Sequence, residues 1–549
     1  MPATGRRWAA ALPIVLVLGV AVQLVPLVAF PTVLTQDGPA HVAGAWVLLH
    51  AGDGGAVGEV LREHYRVDLT PVPNMLATLL LAALTPLLGP DGAERLLVAA
   101  AVIGLVAALA YAARGVSPRA GWLGVVALPL AGSYLVAYGF YNFVLGVVGA
   151  LLVLGVALRR REGWRAGAVA GLTALLLLTW TAHLLPWVLA AGSVLGLGLV
   201  RGAAALREGT PLPAALRRDV VPVLLAVVPS GVLTAAYLAT GEGPSSAALS
   251  APTSDRVLAL LSGQRPFATG WGPESVPVAV TVVALAVLAL GGARRRAPGA
   301  SADGVALALL LGGVLLAYLL TPQRLGADFG FLVDRLAWFP PLLLALWVAG
   351  RPPPGPRTTA VLVVVLVTAA SAAALVRLPA QAAAADEVAE VLSVTGAIPP
   401  GSTSVVLRFS RSAAAPQHGI PDPLRHESSR MAVRAGSVDV GHYEAVQAYF
   451  QVEFREPSLR RRLAPDLTGL ERVPPVVRLD AVRGDLDVVV LVGLDRASER
   501  VRRSGPTRAL LAELGAHYTR VARSTPTGLA EVWRADPAGA GGSGARPPG

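Results

Sequence analysis

The chain has 549 residues, of which 54% are hydrophobic and 15% charged, with a formal net charge of +11 and a mean hydropathy of +0.60. Repeated apolar runs of about 20 residues, each long enough to cross a bilayer, exclude an ordinary soluble enzyme and predict a multi-pass membrane protein. The absence of cysteine excludes disulfides and thiolate metal sites. The positive charge comes from arginine in short loops between the apolar runs, so it indicates membrane topology and no nucleic-acid partner.

The arginine distribution also predicts an orientation in a bacterial plasma membrane. Arg6 and Arg7 precede the first span, which places the N-terminus in the cytoplasm. An odd number of spans then places the C-terminal region outside the cell. We expect eleven spans, at about 8–30, 93–113, 119–137, 142–158, 165–182, 184–200, 219–239, 275–292, 305–320, 330–350 and 358–377.

One apolar run, from Pro71 to Gly89, is expected to lie along the outer leaflet without crossing it. If this run crossed the membrane, the arginine clusters of every later loop would face outward, against the usual bias. The sequence therefore predicts an all-α polytopic membrane domain over 1–378, of about eleven transmembrane helices plus outer-leaflet helices, with an outer loop at 31–92.

A small extracytoplasmic α/β domain is predicted over 379–535, followed by a disordered Gly/Pro/Ala tail at 536–549. The hydrophobic periodicity predicts helices at 382–394 and 507–514 and strands at 404–409, 486–494, 518–522 and 529–533. The histidines His418, His426 and His442, with the acids Asp422 and Glu444, have no compact metal-ligand spacing, so we expect them at the surface or at domain contacts.

The first candidate site is in the outer loop, at Asp37 and His41. Pro39 favours the first turn of a helix, which would place Asp37 at the N-cap of a short interfacial helix over 40–50, with His41 one turn further on. In one interpretation Asp37 only caps this helix and His41 only lies at the lipid interface. In the other, Asp37 is a general base or a metal-binding carboxylate at the outer membrane surface, because an acid near lipid has a raised pKa.

Two outer connections carry further candidates. Tyr138, Tyr141 and Asn142 join two spans and form either an aromatic belt or a platform that stacks on a sugar, with Asn142 bonding a hydroxyl. His183 lies at another outer bend, as an interface residue or as a ligand contact.

A third group of candidates precedes or begins the late span at 330–350. Arg335 lies about a turn inside this span, which is unfavourable unless the guanidinium is paired or binds an anion. Asp328 or Asp334 would neutralise it. The alternative is that Arg335 binds a lipid-linked phosphate, with Arg324 and Asp328 completing the substrate site.

Taken together, these features resemble the GT-C class of membrane glycosyltransferases, which includes protein O-mannosyltransferases, aminoarabinose transferases and oligosaccharyltransferases. The resemblance rests on a first span, an outer loop that opens with an acid in Gln36-Asp37-Gly38, outer-leaflet helices at 71–89, many spans and an outer C-terminal domain. It implies that Asp37 is the catalytic or metal-binding acid and that Arg335 is the arginine that holds the lipid phosphate. The donor it implies is a sugar linked to polyprenyl phosphate.

The sequence departs from that class in carrying one acid in the first loop, where many members have a pair, and no carboxylate among residues 138–141. We therefore assign no cofactor and leave a divalent metal open. The function predicted is transfer of a hexosyl or pentosyl group from a polyprenyl-phosphate donor to an extracytoplasmic glycan or protein, beside membrane lipids. The alternatives are a non-catalytic membrane assembly protein and a lipid or solute transporter, although the polar residues gather at one membrane face and disfavour transport.

Overall fold

In a computed structural model of the chain, the structure describes residues 3–161, 163–240, 253–295, 301–325, 330–415, 420–466 and 468–537. The candidate Asp328 lies outside these residues. His418 does as well, and so does the tail expected at 536–549 apart from its first two positions.

Helices account for most of the described chain, and two short strands and a five-stranded sheet complete it. In chain order the α-helices are α1 Ala3–Ala29, α2 Gly38–His50, α3 Gly55–His64, α4 Leu76–Val116, α5 Leu128–Ala131, α6 Tyr134–Tyr138, α7 Tyr141–Arg159, α8 Ala166–Ala182, α9 Leu184–Arg207, α10 Leu212–Ala215, α11 Val221–Thr240, α12 Thr253–Leu261, α13 Gln264–Phe267, α14 Ser275–Arg294, α15 Ala302–Leu320, α16 Leu332–Leu336, α17 Phe339–Ala349, α18 Pro356–Leu392, α19 Glu427–Ala435, α20 Leu459–Leu463, α21 Glu499–Arg502 and α22 Gly505–His517. The strands are β1 Tyr65–Val67, β2 Thr403–Arg408, β3 Val438–Asp439, β4 Val452–Phe454, β5 Val488–Val492, β6 Tyr518–Arg523 and β7 Ala530–Ala535. Shorter turns of 3-10 helix include Ala120–Ala127 and Glu444–Val446, and a π-helical turn covers Leu216–Val220.

The helical segments confirm a multi-pass membrane protein. Within the described ranges, nine helices are long and apolar enough to cross a membrane, and two shorter apolar segments at Ala120–Ala131 and Ala166–Ala182 accompany them. Each of the eleven predicted spans falls on one of these segments. The first of the two shorter segments is mostly 3-10 helix, and the second ends at a bend. Neither therefore forms an uninterrupted α-helix as long as the other nine.

The apolar run at 71–89 continues into the next span as a single helix, α4, with a sharp break at Gly89. Gly89 has φ +70°, a left-handed conformation that only glycine adopts at no steric penalty. Pro90 follows Gly89, and the residue before a proline is disfavoured in the helical conformation. Both residues therefore favour a break in the helix at this position. The kink at Gly89 therefore separates the helical segment before it from the span expected at 93–113.

The chain divides into two compact units. Unit 1 comprises Met1–Ala29, Pro71–Ala77 and Leu96–Leu378, and unit 2 comprises Phe30–Thr70, Thr78–Arg95 and Pro379–Gly549. Unit 1 holds a large apolar core whose biggest fully buried side chains include Trp180, Trp338 and Phe143.

Unit 1 also contains a buried ion pair. Arg377 donates to Glu274 at 2.5 Å and to the Phe267 carbonyl at 2.9 Å, and both charged side chains are buried. The Thr269 and Gly270 amides donate to the same carboxylate. Because every charged atom has partners, this pair is tolerated in an apolar surrounding.

Unit 2 contains the five-stranded sheet, with strand order β3-β2-β5-β7-β6. Strands β2, β3 and β5 are parallel, and β7 pairs antiparallel with both β5 and β6. Strand β5 reads Val-Val-Val-Leu-Val and is buried throughout, as a central strand covered on both faces requires. The helices and strands predicted for the C-terminal region all occur, which confirms the α/β prediction.

Residues from the first loop are part of unit 2. Strand β1 pairs antiparallel with β4, so that Tyr65 lies opposite Phe454. Arg430 of α19 donates to Glu94 at 2.9 Å and to Glu427 at 2.8 Å, and all three side chains are buried. The first loop and the C-terminal residues therefore share one packed interior.

Helix α2 was expected to lie at a membrane interface. Its bounds are close to those predicted, but the location is wrong because most of the helix is buried. Residues 38–45 are buried on all sides within unit 2. Its sequence has no polar stripe, since His41 and His50 are its only polar side chains, and it therefore packs as an interior helix.

Candidate functional site

Asp37 occupies the N-cap of α2, as the sequence predicts, yet its side chain makes no capping hydrogen bond. A capping oxygen normally accepts from the second or third amide of the helix. Here the second residue is Pro39, which has no amide hydrogen, and the third amide, of Ala40, donates to the Asp37 carbonyl at 3.0 Å. The carboxylate is therefore available for other contacts.

Those contacts come from one neighbour in sequence and from the C-terminal residues of unit 2. Gln36 donates to the Asp37 carboxylate at 3.1 Å, and beside it the Tyr443 hydroxyl donates to Glu444 Oε1 at 3.4 Å. His426 Nε2 lies 3.5 Å away, and its ring stacks on that of Tyr443 at a centroid distance of 4.2 Å. The carboxylate thus lies in a closed polar cluster.

Burial controls the electrostatics of this carboxylate. Asp37 is 7% exposed, and desolvation raises its pKa from 3.8 to about 6, although the charges of His41 and Arg425 act in the opposite direction. Burial, followed by the charge of Arg425, holds the pKa of His426 well below its usual range. At neutral pH the site therefore holds an ionised but basic carboxylate beside a neutral imidazole.

His41 points to a second carboxylate. Its Nδ1 lies 2.6 Å from Glu444 Oε1, and both side chains are buried. A carboxylate at Nδ1 favours the tautomer with its proton on that nitrogen and fixes the ring orientation.

A further layer of contacts holds Gln36 in place. Its side-chain oxygen accepts from the Asp422 amide at 3.2 Å, and the Asp422 carboxylate pairs with Arg408. We call Asp37, His41, His426, Tyr443 and Glu444 the Asp37 cluster. Sequence reasoning chose its first two members and expected His426 and Glu444 at the surface or at domain contacts. The structure buries both, at 6% and 2% exposure, against residues of the first loop.

The second group of candidates lies in unit 1. Arg335 donates to the Gly330 carbonyl at 3.0 Å, and its guanidinium lies 4.7 Å from the centroid of the Phe140 ring. Tyr138 and Phe140 both contact Phe331, each at a centroid distance of 5.2 Å. We call Arg335, Phe140, Phe331 and Tyr138 the Arg335 cluster.

Two further features bear on this cluster. Arg324 is exposed, and its Nε lies 3.9 Å from where a Cβ would stand on Gly330, so it approaches the same residue that Arg335 contacts. Asp334, one of the two acids expected to neutralise Arg335, bonds instead to Arg265 at 2.5 Å and to Gln323. Phe331 has φ +55°, which is uncommon for a bulky side chain and is the kind of strain that gathers at functional sites.

The remaining candidates have structural partners. Asn142 accepts from the Ala77 amide at 2.7 Å and donates to the Asn74 carbonyl at 2.7 Å, so its amide holds the first turn of α4. His183 caps α9, with Nδ1 accepting from the Leu185 amide at 3.1 Å. Tyr141 is buried at 2% exposure. These contacts fit the structural alternatives for Asn142 and His183 better than direct contact with a sugar.

The donor set of the Asp37 cluster does not favour a metal. Glu444 faces His41, which leaves Asp37 and a neutral histidine as the adjacent ligands, fewer than most metal sites use. In the part of the chain that the structure describes, no group of three or more His, Asp or Glu side chains is arranged to hold a metal ion.

Comparison with solved structures identifies the fold. ArnT from Cupriavidus metallidurans bound to undecaprenyl phosphate matches 96% of this chain and 99% of its own, with a TM-score of 0.56 and 13% sequence identity. ArnT from the same organism in the apo state matches 97% and 99%, with a TM-score of 0.51 and 14% identity. No protein-family model matches the sequence, and neither does any curated protein.

The chain therefore has the fold of the GT-C membrane glycosyltransferases, the class that includes the aminoarabinose transferase ArnT. The resemblance expected from the sequence is confirmed at the level of architecture over nearly the whole chain.

Proposed function

We propose that this protein is a glycosyltransferase that moves a sugar from a polyprenyl-phosphate donor to an acceptor on the outer face of the plasma membrane. The fold it shares with ArnT supports this, and so does the undecaprenyl phosphate bound in one ArnT structure. The observation that carries the proposal is Asp37, a buried carboxylate freed from its capping role whose pKa is raised to about 6.

In the proposed reaction Asp37 is the general base. An acceptor hydroxyl gives its proton to the Asp37 carboxylate as its oxygen bonds to the anomeric carbon of the sugar. The bond from that carbon to the phosphate oxygen breaks at the same time, and polyprenyl phosphate leaves with the electron pair. A base with a pKa near 6 is mostly ionised at neutral pH and still accepts a proton readily, which suits this step.

His41 and Glu444 support the base in this proposal. The carboxylate of Glu444, 2.6 Å from His41 Nδ1, holds the imidazole in one orientation. A positive charge on His41 lowers the pKa of Asp37 and so opposes the effect of burial.

Arg335 is the proposed phosphate anchor. A guanidinium binds two phosphate oxygens at once, and stacking on Phe140 fixes its plane. Arg324 and Tyr138 complete this substrate site in the proposal. The outward orientation of both clusters, with the N-terminus in the cytoplasm, rests on the arginine distribution in the sequence.

A lipid-binding measurement tests the donor site. Purified protein would be titrated with a polyprenyl phosphate and followed by native mass spectrometry, comparing wild type with Arg335→Ala. The matched control is Arg351→Ala, which removes another arginine stacked on a ring, Trp347, at 4.3 Å. We expect about ten-fold weaker binding in the Arg335 variant, as loss of one charge-assisted contact implies, and no change in the control.

Equal binding by the wild type and both variants would refute the role of Arg335. If wild-type protein retained only ordinary phospholipids and failed to bind the added polyprenyl phosphate, the donor class itself would be wrong.

A further inference from the structure

A cleft of about 470 Å³ opens in unit 1, at the ends of membrane spans. Its walls come from the first span, from the end of α4 with the 3-10 turn Ala120–Ala127, and from the proline-rich residues that lead into α18. Its volume lies within the range typical of pockets for small ligands. No residue of the Asp37 cluster or the Arg335 cluster lines it.

Two arginines line the mouth of this cleft. Arg114 lies in the last turn of α4, and Arg119 directly precedes the 3-10 turn. Both side chains are exposed, and in the described ranges no carboxylate lies within ion-pair distance of either. Asp303 pairs with two other arginines, Arg161 and Arg201. The mouth of the cleft is therefore positively charged and not neutralised by the described part of the chain.

Gly121 gives one of these arginines a defined place. A Cβ at this buried glycine would overlap Nε of Arg114, so any larger residue would push that side chain away. The guanidinium therefore lies against the backbone of residue 121, at the wall of the cleft. The local sequence therefore gives the Arg114 side chain a defined position at the cleft.

The rest of the lining is apolar and amphipathic. Leu16 and Val363 lie deeper in their spans, whereas Trp122 stands beside the arginines, as tryptophan does at the boundary between lipid tails and headgroups. The cleft thus combines a cationic mouth with an apolar floor, at the ends of helices that are long and apolar enough to span a membrane.

We propose that this cleft binds an anionic phospholipid of the surrounding membrane, separately from the glycosyl donor. The phosphate would bind Arg114 and Arg119, and an acyl chain would lie along Leu16 and Val363. At the ends of membrane spans, the headgroups of anionic lipids are the most concentrated anions, and each nearby arginine strengthens their binding. This inference does not depend on the proposed glycosyl transfer.

The test uses the full-length protein in detergent, titrated with phosphatidylglycerol or phosphatidylcholine and followed by native mass spectrometry. The double variant Arg114→Gln with Arg119→Gln is expected to bind phosphatidylglycerol about 25-fold more weakly, at about five-fold for each arginine. The matched control is Arg207→Gln with Arg217→Gln, two exposed arginines outside the cleft. It should bind like the wild type.

A second variant, Gly121→Ala, keeps both charges and moves only the guanidinium of Arg114. We expect it to weaken phosphatidylglycerol binding several-fold without affecting the weak binding of phosphatidylcholine. Thermal unfolding of each variant checks that the fold is intact.

Three results would overturn the proposal. They are equal phosphatidylglycerol binding by wild type and the double arginine variant, equal binding of phosphatidylcholine and phosphatidylglycerol by wild type, and preferential binding of a polyprenyl phosphate that depends on these two arginines. The last would assign the cleft to a different lipid.

Discussion

The Asp37 cluster and the Arg335 cluster are built from opposite kinds of contact. In the first, ionisable side chains meet one another across about four hundred residues of sequence, as in the pair of His41 with Glu444. In the second, one cation lies among aromatic rings and a backbone carbonyl, and its partner Gly330 is five residues away. The chemistry of the acid therefore depends on the C-terminal part of the chain, whereas the arginine is placed by its own loop and by the aromatic connection that holds Phe140.

Asp37→Asn should produce the largest effect and should separate chemistry from stability. Loss of a general base is expected to lower the rate of sugar transfer by about 10²- to 10⁴-fold. The same change removes a buried charge, so thermal unfolding at pH 7.5 should show a gain in stability on the order of 2 kcal/mol. A variant that is inactive and also less stable would instead indicate a structural carboxylate.

The pH dependence of the wild type extends this prediction. Because the pKa of Asp37 is raised from 3.8 to about 6, the folded protein binds a proton that the unfolded chain does not bind until about pH 4. As pH falls from above 6 towards 4, this group should stabilise the fold while the transfer rate falls. The transfer rate of the wild type should therefore fall as pH falls through about 6, and the extra stability of Asp37→Asn over the wild type should shrink over the same range, as unfolding temperatures of both proteins at pH 4–8 would show.

Glu444→Gln should have an intermediate effect. The substitution keeps the size of the side chain and removes the charge beside His41, and loss of such a supporting contact typically lowers activity by about 10- to 100-fold. Donor binding, measured by the lipid titration, should not change, because Arg335 is untouched. Glu453→Gln is the matched control, since this glutamate bonds Arg66 at the surface of β4. Equal activity losses in the two variants would contradict a specific role for Glu444.

Asn142→Ala should have the smallest effect, and on stability alone. It removes the side chain that caps α4 from a neighbouring helix, which is expected to lower the free energy of unfolding by about 1–2 kcal/mol. Activity per folded molecule should stay the same, because both polar atoms of the amide bond to backbone. A large activity loss with an unchanged unfolding temperature would restore the sugar-binding interpretation of Asn142.

Much of the fold was predictable because its signals are local. The eleven apolar runs follow from composition within a short window, and β5 follows from its unbroken run of branched residues. The place of Asp37 before Pro39 also predicts the start of α2. Each of these depends on residues within a few turns of one another.

The partners of Asp37 were not predictable in this way. His426, Tyr443 and Glu444 have no spacing that relates them to residue 37. Their role arises only when α19 and the 3-10 turn Glu444–Val446 pack on α2. One signal was available in the run from 441 to 450, where titratable and aromatic residues are denser than a solvated surface requires. That density indicates burial but does not indicate what the residues contact.

The pairing of β1 with β4 has a consequence for how the protein is made. Residues 65–67 leave the ribosome early, but their partners at 452–454 emerge only after the last membrane span has been synthesised. Glu94 is likewise synthesised long before its hydrogen-bond partner Arg430. Throughout synthesis of the spans, the Asp37 loop is therefore without the residues that complete it, and a nascent chain with all of its membrane helices made has no finished Asp37 cluster.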